Sequence, residues 1–405
     1  MSISPARRVA DSLLDSVLEQ HRALEEALDG IPASIEPRDK AAGHRIAAAV
    51  LRRLGSLDAV MEPFLRRQPP APALRALRIG AAELLLLGTP PHAAVSAAVS
   101  LVPRPLAGLV NAVLRRVAEH GPAALEELDA ERLDTPNWLW ASWHAAHGSA
   151  VRAIAAAHRQ EAPLDLSLKP GATPPEGATL LPTGTARMPA GTRITELPGF
   201  AAGELWAQDA AAALPARLLA VKPGELVADL CAAPGGKTAQ LAAAGARVVA
   251  VEREASRMPR LRENMARLKL TPDLVNSDVI GWKPEAAFDA ILLDAPCTAT
   301  GTIRRHPDVP YLKRSKDVAV LAAQQRNLLV AACKLLKHGG RIVFATCSLQ
   351  AEEGEAHLGH IPEGMRLDPI RNEELPGIGA AGPGYLRTRP DQGMDGFFAM
   401  RLVRG

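Results

Sequence analysis

The chain has 405 residues, enough for two or three domains with separate cores. It is 47% hydrophobic and 22% charged with a net charge of +3, ordinary values for a folded globular protein that select no partner by themselves. Four cysteines, none spaced as CxxC, exclude a disulfide framework and argue against a structural zinc site; no apolar run is long enough to cross a bilayer. The opening "MSISPARRVADSLLDSVLEQ" lacks the apolar core of a signal peptide, so a cytoplasmic, reducing setting is expected.

Residues 1–120 carry helical periodicity. Val9, Leu13, Leu14, Val17, Leu18, Leu24 and Leu28 recur mostly three to five apart. The same style returns in "RDKAAGHRIAAAVLRRLGSLDAVMEPFL", "PALRALRIGAAELLLLG", "HAAVSAAVSLV" and "GLVNAVLRRVAEHG", which predicts five or so short helices in an all-α domain. Arg52, Arg53, Arg66, Arg67, Arg75, Arg78, Arg115 and Arg116 lie on or beside these helices. Charge counting favours solvated helix faces over a phosphate-contacting surface.

Residues 121–195 read as a bridge. Three tryptophans fall in "TPNWLWASWHAAHG", and the chain then turns Pro-, Gly- and Thr-rich, with "LDLSL" and "TRITEL" as short strands of a small α/β piece. Lys169 and Arg193 in this stretch read as exposed surface charge rather than nucleic-acid contacts. From about residue 196 strand and helix alternate: "LVADLC", "KTAQLAAAG", "RVVAVE", "ASRMPRLRENMARLKL", "FDAILLDAP", "DVAVLAAQQRNLLVAACKLLKHGG", "RIVFATC". Apolar strands separated by helices predict a doubly wound α/β sheet of parallel strands, whose ligand sits beyond the strands' C-terminal ends.

The first of those ends carries "DLCAAPGGKT". Gly235 and Gly236 permit close backbone approach, and the helix that follows offers free N–H groups. The spacing is neither that of a dinucleotide loop nor that of a P-loop. Glu252, Asp278 and Asp294 end three later strands. Acids there suit ribose hydroxyls and a ligand without phosphates, as S-adenosylmethionine is; each alone could merely cap a turn.

Two thiols also fall at strand ends, Cys297 in "LLDAPCTATGTIRRHPDV" and Cys347 in "FATCSLQAEEGE". With the glycine loop, these motifs resemble those of the RNA cytosine-5 methyltransferases of the NOL1/NOP2/Sun family in order and spacing. The helical N-terminal part is similar to the RNA-binding domain shared with the NusB antitermination factor. Together they resemble bacterial 16S rRNA methyltransferases, and the likeness is weakest over residues 160–195.

The resemblance implies a NusB-like domain over residues 1–128, a bridge over 129–195 and a Rossmann-like methyltransferase domain over 196–405. It implies methylation of cytosine carbon 5 in RNA, most readily 16S rRNA, with tRNA or another rRNA site as the alternative. A non-catalytic RNA-binding factor on the same scaffold would have lost cysteines or loop residues that are intact here. A thiolate adding to carbon 6 makes carbon 5 nucleophilic, and afterwards the thiolate must be expelled. Local chemistry does not say which thiol attacks; the family pattern makes Cys347 the nucleophile and Cys297 the residue of product release. The cofactor implied is S-adenosylmethionine, held by Cys231, Ala232, Ala233, Pro234, Gly235, Gly236 and Lys237 and by Glu252, Asp278 and Asp294.

Asp294 also suits the cytosine edge near ring nitrogen 3. Lys237 either orients Asp294 or the nucleotide or forms a salt bridge at a helix start. The basic loop with Arg304, Arg305, Lys313, Arg314 and Lys316 is expected to track RNA phosphates. Cys333 reads as a small core residue, and Cys231 as a packing or backbone contact. No metal and no membrane are expected, and nothing demands more than a monomer. Departures from the family pattern are Glu252 in place of Asp, and Ala351 and Gly354 where Pro and Asn are usual.

Overall fold

Prolines and apolar stripes set the helices of the N-terminal part. In the computed structural model, which describes residues 4–378 and 384–405, Pro5 and Pro37 open helices Pro5–Leu18 and Pro37–Arg52, where a missing N–H costs nothing. Helices Leu24–Asp29, Leu54–Met61, Ala71–Leu85, Pro91–Ser100 and Arg104–His120 follow. The sequence predicted fewer because it ran residues 9–28 together and residues 38–65 together. The helix breaks at Arg53, which leaves helical geometry (φ −126°, ψ 23°) while its guanidinium meets Asp134 at 3.1 Å. Val9, Leu13, Leu14 and Val17 are buried as the periodicity required. Gly43 lets the first and third helices touch, since a Cβ there would lie 2.5 Å from Val9 Cγ1 and 2.6 Å from the Ala6 carbonyl.

The chain divides into two compact units: residues up to Gln160 together with Ile303–Arg314, and Glu161–Thr302 together with Ser315 onward. The three-part division expected from sequence therefore falls differently. The helical half of the bridge, with helices Asn137–His147 and Val151–His158, belongs to the first unit. Asp134 ties it there, accepting from Ser56 N (2.7 Å), Ser56 Oγ (2.9 Å) and Arg159 Nε (2.9 Å). Trp143 stacks on His158 with ring centroids 5.2 Å apart.

Segment Ile303–Arg314 is built into the same unit. Asp308 Oδ2 accepts the N–H of Leu24 at 2.9 Å, at the start of helix Leu24–Asp29. The Tyr311 hydroxyl donates to the Leu51 carbonyl at 2.8 Å, and Tyr311 and Leu312 pack on the helical core.

The second unit holds two sheets. Strands β1 (Leu164–Leu168), β2 (Thr179–Leu180), β3 (Ala186–Met188) and β4 (Leu205–Ala207) form an antiparallel sheet in the order β2-β3-β1-β4. The larger sheet contains β5 (Leu226–Leu230), β6 (Arg247–Glu252), β7 (Asp273–Asn276), β8 (Phe288–Asp294), β9 (Leu336–Thr346), β10 (Met365–Leu367), β11 (Tyr385–Arg387) and β12 (Phe398–Arg404). Its order is β10-β12-β9-β8-β5-β6-β7, with β11 also paired to β12. Strands β5 to β9 are parallel, as their apolar runs predicted; β10, β11 and β12 join antiparallel, so the sheet is mixed.

Helices Gly236–Ala243, Met258–Arg267 and Ser315–Lys334 provide the crossovers after β5, β6 and β8. The chain leaves β5 toward β6 on one side while β8 lies on the other, so the direction of winding switches between β5 and β8. Among the described residues no helix is long and apolar enough to cross a membrane.

Candidate active site

Three loops meet at that switch: the one after β5 carries the glycines, the one after β8 carries Cys297, and the one after β9 carries Cys347. The glycine loop is tightly shaped. Cys231 takes φ +63°, the Ala233–Pro234 peptide is cis, and Gly235 takes φ +105°. A Cβ on Gly235 would come within 2.7 Å of Leu261 Cδ1 and 2.9 Å of Met265 Cε, so glycine is required for both conformation and space.

Glu252 closes β6 and is 3% exposed; it accepts from Ala233 N at 3.2 Å and Glu254 N at 2.9 Å and meets Arg257 at 3.3 Å. It thereby links the ends of β5 and β6. Asp278 lies two residues past β7 and accepts from Ile280 N at 2.9 Å. Asp229 in β5 is buried, and burial pushes its carboxyl up to about 7 against the Thr238 hydroxyl that donates to it. Its second oxygen, Oδ1, has no partner among the described residues.

A cradle shaped by glycine, strand-end acids and a spare carboxylate oxygen suit a ribose-bearing, cationic, phosphate-free ligand. Residues 231–237 with Glu252, Asp278 and Asp294 would hold S-adenosylmethionine.

Asp294 is the last residue of β8, and Lys237 the second residue of the helix after the glycine loop. Lys237 Nζ lies 2.7 Å from Asp294 Oδ2 and 5.2 Å from the centre of the Phe397 ring. Burial works to lower the lysine's pKa; the Asp294 charge and hydrogen bond, with Cys347 and Asp229, outweigh it and the net shift is upward. Lys237 is therefore held as an ammonium.

The sulfurs of Cys297 and Cys347 are 3.4 Å apart. The Cys347 contact and burial push the Cys297 thiol well above its ordinary range. Cys347 packs among Ala210, Ala211, Met394 and Phe397. Burial drives Cys231 and Cys333 up to about 12, which leaves both as inert thiols.

Backbone contacts fix the two cysteine loops together. Gly301 N donates to the Cys347 carbonyl at 3.0 Å, and Gly396 N to the Gly301 carbonyl at 2.9 Å. A Cβ on Gly301 would lie 1.9 Å from the Gly396 carbonyl oxygen. Thr300 Oγ accepts from Leu349 N at 3.0 Å. Gly354 also finds its reason: a Cβ there would meet Arg387 Nη2 at 2.2 Å, and that guanidinium is held by Glu355 and by the Ser348 carbonyl.

The basic segment departs from expectation. Arg304 is 4% exposed, inside the segment that docks on the helical unit, so it does not belong to an open loop tracking phosphates. Arg305 and Lys313 are half-buried, and Arg314 is exposed. Sequence reasoning did not single out Phe397, Gly301, Gly396, Thr300 or Glu353. The small residues of "CTATG" are the one local signal that could have marked the close approach at Gly301.

A sheet switch point with a glycine cradle, strand-end acids and paired thiols defines an S-adenosylmethionine-dependent methyltransferase. Comparison with known proteins narrows the class. Residues 216–403 match the family model of the 16S rRNA methyltransferases RsmB/F, and residues 4–119 match the NusB family. The chain is 34% identical to ribosomal RNA small subunit methyltransferase B of Vibrio cholerae over 98% of its own length and 96% of the relative's. It is also 34% identical to the protein of that name from Xanthomonas campestris, over 98% and 97%. The chain belongs to this small-subunit rRNA methyltransferase family.

Among solved structures, that of PH0851 has a TM-score of 0.77, covers 99% of both chains at 23% identity and shares the fold. A methyltransferase homologue from Pyrococcus horikoshii has a TM-score of 0.55 at 27% identity, covering 65% of this chain and 94% of its own.

Proposed function

We propose that the protein methylates carbon 5 of a cytosine in small-subunit rRNA through a transient bond between Cys347 and carbon 6. The observation that carries this reading is the 3.4 Å separation of the Cys297 and Cys347 sulfurs, beside the Lys237–Asp294 pair. A hydrolase or a simple amine or oxygen methyltransferase has no use for two adjoining thiols, whereas cytosine carbon 5 is inert until a nucleophile adds to carbon 6. The names of the curated relatives support rRNA as the substrate over tRNA.

In this reading Cys347 attacks and Cys297 assists departure. The Cys347 contact and burial raise the Cys297 pKa, which suits a thiol that stays protonated beside the attacking one; the division of roles is the one the family resemblance implies. Asp294 faces the cytosine edge near ring nitrogen 3, and Lys237 keeps that carboxylate in place. S-adenosylmethionine, when bound, supplies the electrophilic methyl group. After transfer a water molecule takes the proton on carbon 5, the electron pair of that C–H bond re-forms the 5–6 double bond, the carbon 6–sulfur bond breaks, and the Cys297 S–H hydrogen-bonds to the departing Cys347 thiolate. The target base must be unstacked for its ring carbons to be reached. Arg305, Lys313 and Arg314 remain the candidates for RNA phosphates, and the protein acts as a monomer in the cytoplasm.

The test uses Cys297→Ala and Cys347→Ala proteins with 16S rRNA and S-adenosylmethionine, followed by a denaturing gel. RNA that stays attached to Cys297→Ala but not to Cys347→Ala is expected. The reverse pattern would exchange the roles of the thiols. No adduct on either variant, together with no methyl transfer by the wild type to 16S rRNA or tRNA, would sink the reading.

A further inference from the structure

Glu353 sits in the run "AEEGE" and is 0% exposed. Its carboxylate gathers donors from three elements. Thr298, the residue after Cys297, gives its N–H (2.9 Å to Oε1, 3.2 Å to Oε2) and its hydroxyl. Ser348, the residue after Cys347, gives its hydroxyl at 2.6 Å. Gln325, from helix Ser315–Lys334, donates at 3.1 Å and also binds the Pro296 carbonyl at 2.9 Å. Gln325 Oε1 in turn meets His357 Nε2 at 2.9 Å.

A buried charge is expensive unless it is fully hydrogen-bonded, and here the partners come from the residues that directly follow each thiol. Their hydroxyls also contact each other, Thr298 Oγ to Ser348 Oγ at 3.1 Å.

We propose that Glu353 is a positioning residue for both thiols, fixing the loop after β8 and the loop after β9 to one pair of carboxylate oxygens. The two loops are 50 residues apart in the chain, and the separation of their sulfurs is a difference between two independent backbone positions. A single rigid acceptor holding Thr298 and Ser348 removes that freedom. Cys347 then keeps its sulfur where carbon 6 must come, with Cys297 beside it. Glu353 touches neither sulfur in the hydrogen-bond network; its effect passes through Thr298 and Ser348. The cofactor loop, residues 231–237, makes no hydrogen bond to Glu353. The inference rests on the proposed two-thiol chemistry.

The test compares Glu353→Gln and Glu353→Ala in the full chain, with wild type as the reference. In Glu353→Gln one amide oxygen still accepts from Thr298 N and Gln325, while the amide nitrogen donates to hydroxyls that can turn to accept. This variant keeps the shape and loses the charge-assisted bonds. Its kcat for methyl transfer to 16S rRNA is expected to fall about tenfold to a hundredfold, the range set by hydrogen bonds to a buried charge. KM for RNA and affinity for S-adenosylmethionine, measured by calorimetry, stay within about threefold. Glu353→Ala loses further activity and accumulates less of the Cys347 adduct when combined with Cys297→Ala.

Unchanged kcat in Glu353→Gln overturns the inference. So does a parallel loss of cofactor affinity, which marks a general structural role. Thr298→Val, lacking one of the donors, should move kcat in the same direction by a smaller factor, and it supplies the answer if the Glu353 variants do not fold. Methyl transfer by the wild type separates the two levels: if the wild type is inactive the proposed function is at fault, and if it is active only the role of Glu353 is in question.

Discussion

Lys237 Nζ and Asp294 Oδ2 are 2.7 Å apart, one from the helix after the glycine loop and one from the end of β8. The ion pair spans the switch point of the sheet and joins the cofactor cradle to the thiol loop. Lys237→Met and Asp294→Asn should each lower methyl transfer by about a hundredfold, as expected for lost acid–base positioning. Because the two side chains act as a unit, the double variant should be no worse than the weaker single variant within about threefold. A double-mutant cycle on kcat checks this; additive losses would show that they act separately.

Gly301 is a second point of no tolerance. Its Cβ position is filled by the Gly396 carbonyl, and its N–H holds the Cys347 carbonyl. Gly301→Ala should cost about 2–3 kcal/mol by overpacking and should abolish transfer, since the loop carrying Cys347 must move. Denaturant unfolding and a methyl-transfer assay read both effects. Gly359, where a Cβ meets nothing within 4 Å, is the control position and should accept Ala freely.

His158 predicts a pH dependence of the helical unit. Burial, with Arg304 adding to it, lowers its pKa from 6.5 to about 3, and neither ring nitrogen has a partner among the described residues. A histidine whose pKa is depressed by folding binds fewer protons in the native state than when unfolded. Its neutral form is fully compatible with folding above pH 6.5, and stability is lost as pH falls from 6.5 toward 3. The loss runs at up to about 1.4 kcal/mol per pH unit. His158→Phe keeps the stack on Trp143 and should flatten the stability curve between pH 4.5 and pH 6.5, about two units in which the wild type carries this slope. Urea denaturation at several pH values measures it; parallel curves for the two proteins would refute the assignment.

The docking of Ile303–Arg314 on the helical unit can be tested at Asp308 and Tyr311. Asp308→Ala removes the acceptor at the start of helix Leu24–Asp29 and should cost about 1 kcal/mol. Tyr311→Phe leaves the Leu51 carbonyl without its donor and should cost a similar amount, about 1 kcal/mol. Unfolding of the helical unit, followed through the Trp138, Trp140 and Trp143 fluorescence, is the measurement. No change in either variant would mean the segment contributes nothing to that unit's stability.

The parts of the site visible in sequence were those that lie at the ends of buried parallel strands. Such strands are continuous apolar runs, so β5, β6, β8 and β9 stand out, and with them the glycine loop, Glu252, Asp294, Cys297 and Cys347. The strands β10 to β12 escaped because two are three-residue edges and the third follows a loop-rich stretch. Glu353 and Phe397 escaped for a different reason. Each matters through partners 28 to 160 residues away, Gln325 and Thr298 for the first and Lys237 for the second, and no local pattern marks an acid in "AEEGE" or a phenylalanine in "GFFAM". The basic segment misled by composition: its arginines suggested an open loop, while Asp308 and Tyr311 carried the information that it docks.

Residues 303–314 give the helical unit an unusual order of completion. A ribosome releases the first 160 residues long before it reaches Asp308 and Tyr311, so during synthesis the Leu24 N–H and Leu51 carbonyl wait for partners encoded more than 250 residues later. The N-terminal unit is thus finished only after strands β1 to β8 have been made. A gene fragment ending at Gln160 would encode it without its last piece, and the border drawn by sequence similarity at residue 119 is not the border of this compact unit.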